Sequence, residues 1–130
     1  MDIDELIRKV IGCAYTVYNK MGFGYQESVY EKCLQIEFRK QNIPAMFQES
    51  IKVEYDDENV GDFVADIIID NALIVELKSV TKLTKIHEAQ LVNYLVATGI
   101  ENGLLINFGE QEVEVKRKFK TYINTKTGHQ

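Results

Sequence analysis

Phe63-Val64-Ala65-Asp66-Ile67-Ile68-Ile69-Asp70-Asn71-Ala72-Leu73-Ile74-Val75-Glu76-Leu77-Lys78 is the stretch that decides how this chain folds. Its residues are almost all apolar and largely β-branched, which suits buried strands, and Asp70-Asn71 is a turn signal between two such runs. We expect strands from Asp62 to about Ile69 and from Ala72 to Lys78, paired as a hairpin. Three charges interrupt the apolar runs: Asp66, Glu76 and Lys78. A carboxylate buried without a partner costs several kcal/mol at least, so such groups pair, protonate or bind a cation.

Residues two apart share a face of a strand. Ala65, Ile67 and Ile69 should form one face of the first strand, with Asp66 on the other. Leu73, Val75 and Leu77 should form one face of the second, with Glu76 and Lys78 together on the other. A hairpin centred on Asn71 sets Ile69 opposite Leu73, Ile67 opposite Val75, and Asp66 opposite Glu76. A strict two-residue turn would shift the pairing by one and separate the acids, so the spacing predicts an odd-length turn or a compensating bulge.

Two carboxylates brought together in this way suit Mg²⁺ or Mn²⁺, which prefer oxygen ligands. Lys78 beside them can orient a nucleophile or offset developing negative charge. A Glu-x-Lys pair is uninformative by itself. Its weight comes from the apolar strand that carries it and from the acid of matching parity on the neighbouring strand.

Outward from the hairpin, the period changes. From Ile3 to about Lys20 the apolar residues Leu6, Ile7, Val10, Ile11, Ala14, Val17 and Tyr18 recur at helical steps. Gly22-Phe23-Gly24 breaks that pattern, and a second helix is expected from about Gln26 to Gln41. After Pro44, Ile51, Val53 and Tyr55 alternate as a strand that ends at the acidic turn Asp56-Asp57-Glu58-Asn59. Beyond Lys78, Thr81 to Thr98 returns to helical spacing, with Gly99 as its cap. Leu104-Leu105-Ile106 reads as a short buried strand and Glu112 to Phe119 as an edge strand. The order helix, helix, three strands, helix, two strands implies an α/β (α+β) fold with helices packed on a mixed sheet. Residues 1–120 are expected to form one domain and 121–130 a flexible tail.

With 130 residues, 45% of them hydrophobic, the chain can build one real core. Its net charge of −5 argues against a protein that coats nucleic acid, although a divalent cation reverses the local field of an acidic site. Cys13 and Cys33 lack the spacing of a zinc knuckle or redox pair and read as reduced core residues. The absence of a signal-like or bilayer-spanning apolar run makes the cytoplasm the expected location and the membrane an unexpected partner.

Gly24-Tyr25-Gln26-Glu27-Ser28-Val29-Tyr30 resembles the Gly-x-x-Glu-x-x-Tyr signature of the GxxExxY proteins, a branch of the PD-(D/E)XK nuclease superfamily. Ala65-Asp66, Ile74 to Lys78, His87 to Leu95 and Gly103 to Gly109 also look like that family, so the resemblance covers about residues 5–119. It implies a restriction-endonuclease-like αβββαβ core preceded by an extra N-terminal helix. It also implies a catalytic and metal-binding set of Asp66, Glu76 and Glu27, with Lys78 as the catalytic cation. Gln90 and Tyr94 resemble a Gln-x-x-x-Tyr element; one helical turn apart, they are expected to reach the same site or the nucleic-acid backbone. Ala65 stands where the superfamily's name has proline. Tyr18 and Phe23 stand where many members are expected to carry histidine and proline.

Simpler readings stand beside these. Glu27 suits a helix N-terminus through the dipole alone. His87-Glu88 lacks the second histidine of a zinc-protease helix. Lys116, Arg117, Lys118 and Lys120 form a basic run that suits a solvated edge or a phosphate contact. The functional expectation is an Mg²⁺- or Mn²⁺-dependent nuclease acting on DNA sooner than RNA, with a homodimer or protein partner supplying further contacts. The alternative is a catalytically idle binding or subunit module that keeps the fold.

Overall fold

The computed structural model describes residues 1–121. The predicted tail therefore lies, from residue 122 onward, outside the described residues.

Helix α1 (Ile3–Met21) starts where the Asp2 carboxylate accepts a hydrogen bond from the Glu5 N–H at 2.8 Å, and it turns Leu6, Ile7, Val10, Cys13, Ala14 and Val17 inward. It ends at Gly22, whose positive φ of 73° a side chain would strain. Helix α2 (Glu27–Lys40) buries Tyr30, Leu34 and Phe38. Cys13 and Cys33 are both free thiols, the first buried and the second half-buried, as expected of reduced core residues.

Strands β1 (Ala45–Tyr55), β2 (Glu58–Ile69), β3 (Leu73–Lys78), β4 (Asn102–Phe108) and β5 (Val113–Phe119) form one sheet in that spatial order. Only β3 and β4 run parallel, joined by helix α3 (Lys85–Thr98) as a crossover. This is the mixed, helix-flanked α+β architecture that the element order implied. Helices α1 and α2 cover one face of the sheet over Ile67, Ile69, Leu73, Val75, Leu77, Leu104, Ile106 and Phe108. The other face packs Ile68, Ile74 and Leu105 against Leu91, Tyr94 and Leu95 of α3.

Three differences from the sequence reading, two at element boundaries and one in alternation, bear on the site. The β1–β2 turn is only Asp56-Asp57, both with positive φ (50° and 64°), so β2 begins at Glu58 instead of Asp62. Two acids tolerate that conformation in a tight hairpin turn. Helix α3 begins at Lys85, four residues later than Thr81. Leu83 is buried just before it, and His87 Nδ1 accepts the Thr84 N–H at 3.1 Å, fixing the start one turn later. His87 is thus a capping residue.

The third difference lies in the alternation. Ile67 and Ile69 face α1 and α2, but Ala65 packs with the α3 core. Strand β1 changes face at the same level, since Ala45 and Phe47 pack with the first cluster and Ile51 with the second. Between them, Gln48 has a left-handed φ of 56°, and the β1–β2 pairing skips the Gln48–Asp66 position. One left-handed residue re-aims the strand much as a bulge does. Simple parity therefore fails at Asp66.

Candidate active site

The turn joining β2 and β3 contains Asp70, Asn71 and Ala72. Asp70 and Asn71 both have positive φ, and the Ala72 N–H donates to the Ile69 carbonyl at 2.9 Å. That odd length sets Ile69 opposite Leu73, Ile68 opposite Ile74 and Ile67 opposite Val75, the register expected for a hairpin centred on Asn71. Beyond Ile67–Val75 the strands are joined through their acids. The Asp66 N–H donates to Glu76 Oε2 at 2.9 Å, and the Leu77 N–H donates to Asp66 Oδ2 at 2.8 Å. Each carboxylate takes a hydrogen bond from the backbone of the opposite strand, which fixes it at the mouth of the hairpin.

Glu76 is 7% exposed. Burial, and then the negative charge of Asp66, push its carboxyl from 4.5 up to about 8, against the opposing pull of the Asp66 N–H and the Lys78 charge. Glu27, the exposed first residue of α2, adds to the upward push on Glu76. Burial also raises Asp66, while the Leu77 N–H, Lys78 and Gln48 restrain it. Tyr94 of α3 is buried, and its phenol is raised first by burial and then by the charges of Glu76 and Asp66. The arrangement is a half-enclosed negative centre with too little positive charge to balance it.

Asp66, Glu76, Lys78 and Tyr94 come together here, with Glu27 at the rim. Lys78 is half-buried and has no ion pair within 4.0 Å among the described residues. Gln90 is one turn before Tyr94 and exposed; it lines a groove of about 1050 Å³ between α3 and the β1–β2 ribbon, together with Asn93, Tyr94 and Phe63. The basic run is mostly engaged in structural contacts. Arg117 bonds Asp4 at 2.9 Å, Lys118 bonds Glu88 at 2.9 Å and Lys120 lies 3.4 Å from Glu101.

The Gly24–Tyr30 segment supports the centre from one side. Gly24 has a φ of 106°, and the Tyr30 hydroxyl donates to the Gly22 carbonyl at 2.6 Å. The Tyr30 ring stacks on Phe108 with 4.2 Å between centroids. Ser79 Oγ, next to Lys78, donates to the Tyr25 carbonyl at 2.7 Å and ties the turn to the end of β3. Tyr18 donates to the Gly109 carbonyl at 2.6 Å, which gives it a structural task. Fully buried Asn107 accepts the Val80 N–H and donates to the Val80 carbonyl and to Glu114, holding the loop after Lys78. A cleft of about 770 Å³ opens between that loop and the start of α2, with Glu27 in its lining.

A family model for the PD-(D/E)XK nuclease superfamily matches residues 4–118. The chain belongs to that superfamily. Its members generally use divalent metal ions. Among solved structures, one described as "Crystal structure of SSO0001" superposes with a TM-score of 0.60 at 16% sequence identity, covering 75% of this chain and 52% of that one. The likeness concerns the fold, and the chain spans about half the length of that relative. No curated protein matches the chain.

Two residues of the centre escaped the sequence reading. Glu31, one turn after Glu27 on α2, feels the charge of Asp66, and Gln48 donates to Glu31 Oε1 at 2.6 Å while lying 3.5 Å from Asp66 Oδ1. The four-residue spacing from Glu27 was a signal for Glu31. For Gln48 there was none, since glutamine carries no preference for a left-handed backbone.

Proposed function

We propose that this protein is a divalent-cation-dependent nuclease of the GxxExxY branch, hydrolysing phosphodiester bonds of DNA, or of RNA, through Asp66, Glu76, Glu27 and Lys78. The observation that carries this reading is the reciprocal bonding of Asp66 and Glu76, which holds one half-buried and one buried carboxylate at one point of a nuclease-superfamily fold. We place residues 1–120 in one nuclease-like domain, consistent with the extent of the family match.

The donor set fits Mg²⁺ or Mn²⁺. It consists of hard oxygens, and a cation would offset the burial and the neighbouring Asp66 charge that together push Glu76 up to about 8. Among the described residues no group of three His, Cys, Asp or Glu side chains encloses a metal position. Magnesium is commonly held by one or two carboxylates, with water and substrate phosphate filling the remainder. Asp66 and Glu76 would hold it, and Glu27 would contribute from the rim. When bound, it would supply charge neutralisation at the phosphate and a more acidic water.

The protein's own groups perform the rest. The Leu77 and Asp66 N–H groups hold the two carboxylates in place before substrate arrives, so little reorganisation is required. Lys78, two residues beyond Glu76, can donate to the phosphate oxygens as charge accumulates on them. Tyr94 packs with the apolar α3 core beside the centre. Gln90, in the neighbouring groove, is suited to contact the nucleic-acid backbone.

The test is cleavage of single- and double-stranded DNA and RNA in Mg²⁺ or Mn²⁺ by the wild type, Asp66→Ala and Lys78→Ala. Cleavage confined to the wild type supports the reading. Cation binding by the wild type without cleavage favours an idle module that keeps the fold.

A further inference from the structure

We propose that Gln48 is a positioning residue of the Asp66–Glu76 centre: its side-chain amide, presented by a left-handed backbone, holds Glu31 away from the cation and helps to orient the Asp66 carboxylate that would meet it. The inference rests on the cation-dependent reading above.

Gln48 lies in a strand, where a φ of 56° is costly for a residue with a side chain. That conformation interrupts the β1–β2 pairing opposite Asp66, and both strands change face there. Strain at the one position facing a candidate ligand suggests a task for the side chain. Carboxylates only accept hydrogen bonds, so the Gln48 group facing two of them must be its NH₂. It donates to Glu31 Oε1 at 2.6 Å and reaches Asp66 Oδ1 at 3.5 Å. The Leu77 N–H holds Asp66 Oδ2 and the Gln48 amide faces Oδ1, so the two donors together set the direction in which the carboxylate's remaining lone pairs point.

Glu31 is the competitor. It comes from the same helix as Glu27 and is close enough to Asp66 for their charges to interact. Released from Gln48, its carboxylate would be free to approach the cation and displace water or phosphate. Removal of the amide should therefore tighten cation binding while slowing cleavage, whereas a loosened fold would weaken both.

Gln48→Gly makes the test, because glycine accepts the left-handed backbone and removes the amide. Relative to wild type we expect Mn²⁺ to bind about tenfold more tightly by calorimetry, the scale of one hydrogen bond to a charged group, with an unchanged melting temperature and cleavage slower by at least about tenfold. Gln48→Asn, which also tolerates the backbone but is one methylene short, should behave alike. The double variant Gln48→Gly/Glu31→Gln should return Mn²⁺ affinity to the wild-type value. Affinity weakened or unchanged in Gln48→Gly, or tightened binding that survives Glu31→Gln, overturns the role of Gln48 and leaves the cation reading intact. A wild type that binds no Mn²⁺ overturns both.

Discussion

Asp66 and Glu76 each accept a hydrogen bond from the backbone of the other's strand, Glu76 from the Asp66 N–H and Asp66 from the Leu77 N–H. Removal of either acceptor therefore has a structural cost as well as a functional one. Asp66→Ala leaves the part-buried Leu77 N–H without its acceptor, and about 1–3 kcal/mol of stability should be lost, read by urea denaturation. Glu76→Gln keeps a carbonyl oxygen for the Asp66 N–H and removes the capacity to ionise. It should fold at least as stably as the wild type without cation and fail to bind Mg²⁺ by calorimetry. If Glu76→Gln bound Mg²⁺ like the wild type, Glu76 would not be a ligand.

The Glu76 carboxyl, pushed from 4.5 up to about 8, makes the cation-free protein sensitive to pH. Between those values the folded state holds a proton that the unfolded chain has released. Its stabilising contribution is complete below about 4.5 and is lost as pH rises through about 8. Asp66, shifted in the same direction, adds to the effect. Stability without cation should fall by up to a few kcal/mol across that window. Mg²⁺ favours the ionised acids, so the rise in melting temperature that it causes should be larger at pH 8.5 than at pH 6. A pH-independent effect of Mg²⁺ would place it elsewhere on the protein.

The element order, the mixed character of the sheet and the hairpin register were all legible in the sequence, because apolar period and turn length set them and Asp70-Asn71-Ala72 allowed one pairing that buried both faces. The local route of β1 and β2 past the centre was not. Parity treats a strand as an uninterrupted pleat, and the left-handed Gln48 moves Ala65 and Ile51 to the α3 side without a glycine to announce it. The start of α3 was obscured in another way, since Thr81 and Leu83 fit a helical period although the Thr84–His87 cap begins the helix later. Glu31 was legible only as an acid one turn after Glu27, because its relation to Asp66 depends on the packing of α2 over the hairpin.

The Gly24–Tyr30 signature supports the position of Glu27 more than it supplies chemistry. Tyr30→Phe removes the 2.6 Å bond to the Gly22 carbonyl and should cost about 1 kcal/mol. Gly24→Ala has open space for its Cβ but would be strained at a φ of 106°, costing about 1–3 kcal/mol. Both variants should slow cleavage by shifting the start of α2, and both should retain Mg²⁺ binding through Asp66 and Glu76. Loss of binding in Tyr30→Phe, with the fold intact by circular dichroism, would show that Glu27 is indispensable to the cation.

Lys78 tests whether charge at this centre acts on the cation or on the substrate. Its positive charge restrains both Asp66 and Glu76, so Lys78→Met leaves the two acids more strongly mismatched and should tighten Mg²⁺ binding. A group that offsets charge developing on the phosphate should nevertheless be costly to lose, by about 10²–10³ in rate. Tighter binding with slower cleavage separates the two tasks. Lys78→Arg should recover little, since a planar guanidinium cannot reproduce a compact ammonium in a half-buried position. Calorimetry and single-turnover cleavage on the same preparations would decide it. Unchanged cleavage in Lys78→Met would reduce Lys78 to a counter-charge for the acids and move the search for the phosphate contact to Gln90 on α3.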